Sequence, residues 1–496
     1  MAKRFGNLIG GKWITEGTHG TFENRNPANV DEVVGIYPKS GKREVNAAVA
    51  AAKKAYEKWR LVPAPKRGEI LKRAGDLLVR HKEELAKIET REMGKILAET
   101  RGDVQEGIDT AYYMAGEGRR LFGDTVPCEF TNKAGFSIRM PLGVVGLITP
   151  WNFPLAIPTW KTFPALICGN TVVIKPASDT PQTVIRFGEI LLEAGLPEGC
   201  FNVVTGSGRE VGTPLIEHPD VRAISFTGST DVGKEIGSLC GKLNKKLCLE
   251  MGGKNAMVVM DDADLDMALE GALWGAFGTS GQRCTATSRL IVHRRVAKEF
   301  TRRLVKAAKA LRVGNGLDPK TQMGPVASRS AQKGILDLIQ VGKKEDKLEL
   351  LCGGKALTKG KHAKGWFIEP TIFGGVTPKH RLFWEEIFGP VLCITVAGSF
   401  EEAIERVNQS HYGLSSSVYT RDVNRAFQAI RDIEAGITYI NAPTIGAEIQ
   451  LPFGGVKGTG NGHRESSHVV LDMFSEWKSV YVDYSGKLQR AQIDTE

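Results

Sequence analysis

The chain has 496 residues, 42% of them hydrophobic and 25% charged, with a formal net charge of +10. At about 100–200 residues per domain that length predicts two to four domains, and the apolar share excludes a disordered chain. No run reaches the roughly 18 apolar residues of a membrane span, and the first residues lack an apolar core of signal-peptide length, so a soluble, cytoplasmic protein with no membrane partner is expected.

Along the chain, a short hairpin is expected over Leu8–Ile14, followed by helices over Arg43–Trp59, Ala64–Glu89 and roughly Ile96–Arg120. From Gly143 the pattern changes. Short β-branched runs (Val144–Ile148, Val172–Lys175, Phe201–Val204, Ala223–Phe226, Lys246–Glu250) alternate with helical stretches such as Pro181–Ala194, entered at Thr180-Pro181 and left at Gly195. This alternation predicts an α/β architecture, a parallel sheet covered by helices, of the dinucleotide-binding kind. A second α/β series follows, with strands Ala256–Met260 and Ser288–His293 and helices Asp264–Gly278 and Val296–Leu311. Phe122–Arg139 and Trp477–Tyr484 read as marginal strands of the sort that pair with another subunit.

The eight cysteines stand singly with no CxxC pair, which excludes a dense disulfide framework and a zinc ribbon. Lys and Arg are dispersed among acidic residues in segments such as Lys53–Arg60 and Arg302–Arg312. No nucleic-acid partner is therefore expected, and the positive excess reads as general attraction for anionic cofactors and substrates.

Two strand–turn–helix junctions are glycine-rich: Gly206-Ser207-Gly208 running on to Gly212, and Thr227-Gly228-Ser229 running on to Gly233. Free backbone N–H groups at such turns can receive a pyrophosphate, although neither matches the strict G-x-G-x-x-G pattern. Cys284 follows Gly281-Gln282-Arg283 just after a helix, and its Arg and glycine-turn neighbours are expected to ease its ionisation. Glu250 ends one strand with a carboxylate, and Asn152 follows another with an amide. A nucleophile, a general base and an oxyanion donor make a working acyl-transfer set.

These segments together resemble the aldehyde dehydrogenase superfamily, from Gly10-Gly11-Lys12-Trp13 to Trp477-Lys478-Ser479-Val480. The motifs are Pro150-Trp151-Asn152-Phe153-Pro154, Phe226-Thr227-Gly228-Ser229, Leu249-Glu250-Met251-Gly252-Gly253-Lys254, Gly281-Gln282-Arg283-Cys284, Glu386-Ile387-Phe388-Gly389-Pro390 and Pro452-Phe453-Gly454-Gly455-Val456-Lys457. The resemblance implies attack by Cys284 on an aldehyde, an oxyanion held by Asn152 and the Cys284 N–H, and hydrolysis of the resulting thioester by water that Glu250 activates. It also implies a proton relay through Lys161 and Glu476, against a plain surface ion pair. NADP or NAD would be gripped by Ile148, Pro150, Trp151, Lys175, Ser178, Gly208, Gly212, Thr227, Gly228, Ser229, Gly233, Glu386 and Phe388, with no metal needed. Ser178, where NAD-preferring relatives often carry Glu, implies that NADP is accepted at least as well as NAD.

Three features resemble α-aminoadipic semialdehyde dehydrogenase: Arg283, Glu106, and the loop carrying Gly446 and Ala447. Pro150-Trp151 departs from that subfamily, and Leu249-Glu250-Met251-Gly252 resembles α-ketoglutaric and succinic semialdehyde dehydrogenases instead. The expected substrate is an aldehyde with a remote carboxylate; the alternatives are a broad aliphatic or aromatic aldehyde dehydrogenase and a non-catalytic protein retaining the fold. The implied domains are a dinucleotide-binding domain over 1–121 and 142–252, a catalytic domain over 253–451, and oligomerisation strands with a tail over 122–141 and 470–496. A homotetramer or homodimer follows by the same resemblance.

Overall fold

The computed structural model describes residues 2–494, so the last two residues of the expected tail lie outside the described residues. Two seven-stranded sheets organise it. The first runs in the order Lys246–Glu250, Val221–Thr227, Val144–Ile148, Thr171–Lys175, Phe201–Val203, Asn7–Ile9, Lys12–Ile14. Its first five strands are parallel, and the N-terminal hairpin closes one edge antiparallel. Val144–Ile148 and Thr171–Lys175 are buried along their whole length, as uninterrupted β-branched runs covered on both faces should be.

The second sheet runs Glu349–Cys352, Thr371–Gly374, Val391–Ala397, Thr287–His293, Asn255–Val259, Ser415–Tyr419, Ile437–Ile440, parallel except for its first strand. Two α/β sheets therefore stand where two were expected. A third, three-stranded sheet joins Ser475–Asp483, Lys133–Pro141 and Thr125–Val126. Its long strands pair with each other antiparallel from Ser475↔Pro141 to Asp483↔Lys133. Much of 122–132 is turn rather than the continuous strand expected from Phe122.

The expected helix Ala64–Glu89 is two helices, Ala64–Arg80 and Lys82–Met93, because His81 leaves helical geometry at φ −97, ψ 9. The hairpin Thr21–Arg25 with Val33–Pro38 was not expected; its first strand, Thr-Phe-Glu-Asn-Arg, carries no apolar alternation to announce it. Among the described residues no helix is long and apolar enough to cross a membrane.

Candidate active site

The helix Leu265–Phe277 ends at Gly278, and the chain then turns through Thr279, Ser280 and Gly281, all at positive φ (52, 55 and 69°). A Cβ on Gly281 would run into the Gly389 carbonyl oxygen, so only glycine fits there. Local strain of this kind persists only where surroundings over-determine it. Here Gln282 donates to Thr279 O at 3.1 Å and accepts from Ala327 N at 2.9 Å. Asn255, at the start of a second-sheet strand, donates to Cys284 O at 2.7 Å and Ala286 O at 2.9 Å. Cys284 is thus fixed by its backbone while its thiol stays half-buried.

The expectation of an easily ionised thiol is not met. Burial, then the Glu386 and Glu250 carboxylates, push Cys284 up to about 12, with the N–H groups of Thr285 and Cys284 opposing. Arg283 is not among the groups that chiefly oppose this, its guanidinium being held elsewhere. Its Nε donates to Thr279 Oγ1 at 2.9 Å, its Nη2 lies 3.5 Å from Glu99, and its guanidinium sits over Phe153 at 5.2 Å.

Glu250 ends the edge strand of the first sheet and is 2% exposed, with neither carboxylate oxygen hydrogen-bonded among the described residues. Burial, reinforced by the nearby Glu465 carboxylate and opposed by Lys161, holds it well above the usual carboxylate range. Asn152 donates from Nδ2 to Gln282 O at 3.0 Å, while its Oδ1 has no partner among the described residues. The amide therefore belongs to the nucleophile turn and keeps a second N–H for a ligand.

Lys161 is fully buried, donates to Ser225 Oγ at 2.8 Å and forms an ion pair with Glu465. Glu476 does not join it. That residue is exposed on the outer strand, in register with Met140. Glu465 takes the place expected of Glu476: its backbone pairs with Phe453, and its side chain reaches the same cavity as Glu250. The readable signal was its closeness to Pro452-Phe453-Gly454-Gly455-Val456-Lys457, already singled out as a motif.

Two cavities meet at Cys284. The larger, about 380 Å³, is walled by Pro150, Trp151, Asn152, Thr227, Gly228, Ser229, Glu386 and Phe388. Trp151 packs edge-on against Phe388 at 5.5 Å. Glu386 accepts from Gly253 N at 2.9 Å, and burial pushes it up to about 7. A Cβ on Gly252 would collide with the Glu386 carboxylate. Next door, Gly212 faces Lys175 Cδ and Ile148 Cδ1, both within 4 Å of where its Cβ would stand. Gly208 begins the turn Gly208–Gly212, whose Glu210 N–H is capped by Ser207, and Ser178 Oγ donates to Gly206 O at 3.2 Å. Burial pulls Lys175 down to about 8. The cleft lies beyond the carboxyl ends of parallel strands, with backbone left open by glycine, unpartnered Thr227 Oγ1 facing in, and aromatic rings at one end. That donor set fits a dinucleotide. Gly233 lies one turn into the following helix, its N–H donating to Ser229 O at 2.9 Å and its face against Met251.

The smaller cavity, about 100 Å³, is walled by Cys284, Glu250, Trp160, Leu414 and Phe453 together with Glu106, Arg283, Gly446 and Ala447. Burial first, then the Asp103 carboxylate, push Glu106 up to about 8 against the pull of Arg283 and Lys95. All four residues expected to meet substrate line this wall. Glu99, which holds Arg283, carried no motif, and spacing gave no means of finding it.

A model of the aldehyde dehydrogenase family matches residues 13–480. The chain is 43% identical over 476 residues to the alpha-ketoglutaric semialdehyde dehydrogenase of Bacillus subtilis, covering 96% of this chain and 97% of that one. It is 40% identical over 487 residues to the phenylacetaldehyde dehydrogenase of Pseudomonas fluorescens, covering 96% and 95%. Betaine aldehyde dehydrogenase from Staphylococcus aureus, solved in complex with NAD+, superposes with a TM-score of 0.95 at 32% identity, over 98% of this chain and 96% of that one.

Proposed function

Because the chain belongs to the aldehyde dehydrogenase family and is an NAD(P)-dependent aldehyde oxidoreductase, we propose that its substrate is a semialdehyde bearing a remote carboxylate, oxidised at Cys284. The observation that carries this reading is the position of Cys284 in the wall common to both cavities, with Arg283 and Glu106 in the wall of the smaller one.

The thiolate of Cys284 attacks the aldehyde carbon, and the oxyanion that forms takes the remaining Asn152 N–H and the Cys284 N–H. The nicotinamide, when bound in the larger cleft, supplies the acceptor for the hydride leaving that carbon. Glu250 then withdraws a proton from water, whose oxygen displaces the sulfur and releases the acid. Lys161 and Glu465, joined through Ser225, carry that proton away from Glu250. Arg283 holds the substrate carboxylate. With Nε and Nη2 already engaged, the grip falls to Nη1 rather than to a bidentate fork.

Ser178 leaves no carboxylate to repel a 2′-phosphate, so NADP is used at least as well as NAD. Residues 1–121 with 142–252 bind the nucleotide, 253–451 carry the nucleophile, and 122–141 with 470–496 assemble the cytoplasmic enzyme as a homotetramer or homodimer. A second reading, an uncharged aryl aldehyde, draws on the apolar wall of Phe153, Trp160 and Phe453.

The test compares kcat/KM for a semialdehyde acid and an uncharged aldehyde of equal length. Arg283→Ala should cost the acid about 2–5 kcal/mol and the neutral aldehyde far less. Equal losses favour the aryl reading. Cys284→Ala should abolish turnover with both, leaving cofactor binding nearly intact.

A further inference from the structure

Glu99 and Asp103 stand one turn apart on one face of the helix Leu97–Glu117, and each gives its carboxylate to a backbone N–H beside a reacting group. Glu99 accepts at 2.6 Å from Thr279 N, in the positive-φ turn that leads to Cys284. Asp103 accepts at 2.7 Å from Ala156 N, the first N–H of the helix Ala156–Ile167, which opens just after Asn152. Lys95 pairs with Asp103 at 2.6 Å, and its ammonium lies 3.7 Å from the centre of the Phe153 ring, next to Asn152 in the chain. The Lys95 and Asp103 side chains are 0% exposed and that of Glu99 9%. Beside them Leu97 N donates to Gly316 O at 3.1 Å, and Gly94 O fills the space where a Cβ of Gly324 would stand. Gly324 O in turn accepts from Ser280 Oγ at 2.8 Å, so this stretch reaches the Cys284 turn by two routes.

We propose that Glu99 and Asp103, with Lys95, are positioning residues that set the Asn152 amide against the Cys284 N–H, so that both donors converge on one oxyanion. None of the three lines either cavity that meets Cys284; Glu99 and Asp103 border a separate cleft, which shares Phe153 and Arg283 with the smaller cavity. They act through the two turns and not on the substrate. This rests on the reading of Asn152 and the Cys284 N–H as the oxyanion's donors.

The two turns need outside support for different reasons. Positive-φ backbone at Thr279 and Ser280 persists only under restraint from its surroundings. The turn after Asn152 runs into a helix start, whose first N–H groups have no partner within the helix. A carboxylate answers both needs: it is a strong acceptor for an N–H, and its charge suits a helix N-terminus. The turns touch each other directly where Asn152 Nδ2 donates to Gln282 O at 3.0 Å, but one hydrogen bond leaves the amide free to pivot. Two carboxylates on one rigid helix fix the separation that this bond alone does not. A misplacement of about 1 Å between reacting groups can cost on the order of a hundredfold in rate. Burial of the Lys95–Asp103 pair also serves stability, and the two roles part in a double-mutant cycle.

The experiment measures kcat/KM for an uncharged aldehyde, because Glu99 also stands 3.5 Å from Arg283 and an acid would report that contact as well. Glu99→Leu, Glu99→Gln and Asp103→Ala are each made alone and on an Asn152→Ala background, with denaturant unfolding and binding of oxidised cofactor followed in parallel. Glu99→Leu and Asp103→Ala should each lose about tenfold or more. Glu99→Gln keeps an oxygen for Thr279 N and should stay within a few-fold of wild type. On the Asn152→Ala background both losses should shrink to about twofold, since no amide is left to misplace. Where Asp103→Ala does not fold, the Glu99 variants, which leave the Lys95 pair intact, decide the matter. Equal losses on both backgrounds overturn the proposal, as does a Glu99→Leu enzyme with wild-type kcat/KM. A loss of cofactor binding as large as the loss of turnover also overturns it, by showing general disorder of the fold. Near wild-type turnover in Asn152→Ala alone sinks the oxyanion reading and the proposal with it, whereas additivity beside a damaging Asn152→Ala sinks only the proposal.

Discussion

Lys161 and Glu465 are both buried, and breaking such a pair on one side leaves an uncompensated charge. Lys161→Met is expected to lower unfolding free energy by about 3–5 kcal/mol, read by chemical denaturation. It also removes the cation that restrains Glu250, whose pKa then rises further. Because Glu250 acts as its carboxylate, the acidic limb of the kcat profile should move to higher pH. Glu476→Gln, on the exposed strand, should change stability by no more than about 0.5 kcal/mol and leave the limb in place. The opposite pattern would restore Glu476 as the relay partner. Cys284 offers a second residue-scale test. With its thiol pushed up to about 12, the thiolate fraction of the cofactor-free enzyme should climb about tenfold per pH unit through the neutral and mildly alkaline range. Iodoacetamide labelling, corrected with Cys284→Ala, should follow that slope without levelling off and should quicken when oxidised cofactor adds its positive charge. A plateau below pH 8 would show that another group lowers the thiol in the resting enzyme.

At the scale of elements, the strand Thr171–Lys175 and the turn after it carry Lys175, which stands against Gly212, and Ser178, whose Oγ donates to Gly206 O, and the cofactor choice proposed above is tested there. Ser178→Glu brings a carboxylate to this turn, and kcat/KM with NADP should fall about tenfold or more while that with NAD barely changes. Unchanged ratios would mean that Ser178 has no part in cofactor choice. The same element shows why much of the site was readable. Candidate groups at the carboxyl ends of parallel strands stand beside glycine or proline turns, so Asn152 between Pro150 and Pro154, Glu250 before Gly252-Gly253, and the Thr227–Ser229 turn advertise themselves within a few residues. What stayed hidden is long-range. Lys161 meets Glu465 across 304 positions, and Arg283 meets Glu99 and Thr279 through a strained turn whose direction no spacing gives.

At the scale of the whole molecule, the three-stranded sheet leaves Ser475–Asp483 as an outer strand with unpaired backbone along its free edge. It also displays apolar side chains to solvent: Trp477 is 52% and Tyr481 71% exposed, with Val482, Phe136 and Ile138 among the exposed large hydrophobics. A long, apolar, uncovered edge strand is an aggregation hazard unless something covers it. The second seven-stranded sheet ends in an open strand of its own, Ile437–Ile440, so two copies can satisfy each other's edges without any new fold. A stable interface built this way needs about 1,200–2,000 Å² in total, which a strand pair plus its flanking aromatic side chains can supply. Tyr481→Asp places a charge in that contact while removing, inside the subunit, little more than the Lys133 ammonium over its ring at 5.7 Å, since the residue is mostly exposed there. Sedimentation at micromolar concentration should show the wild type as a dimer or tetramer and Tyr481→Asp shifted towards monomer, with unfolding of the subunit itself altered by no more than about 0.5 kcal/mol. A wild-type monomer, or a variant assembling as well as the wild type, would mean that this sheet is not the seam.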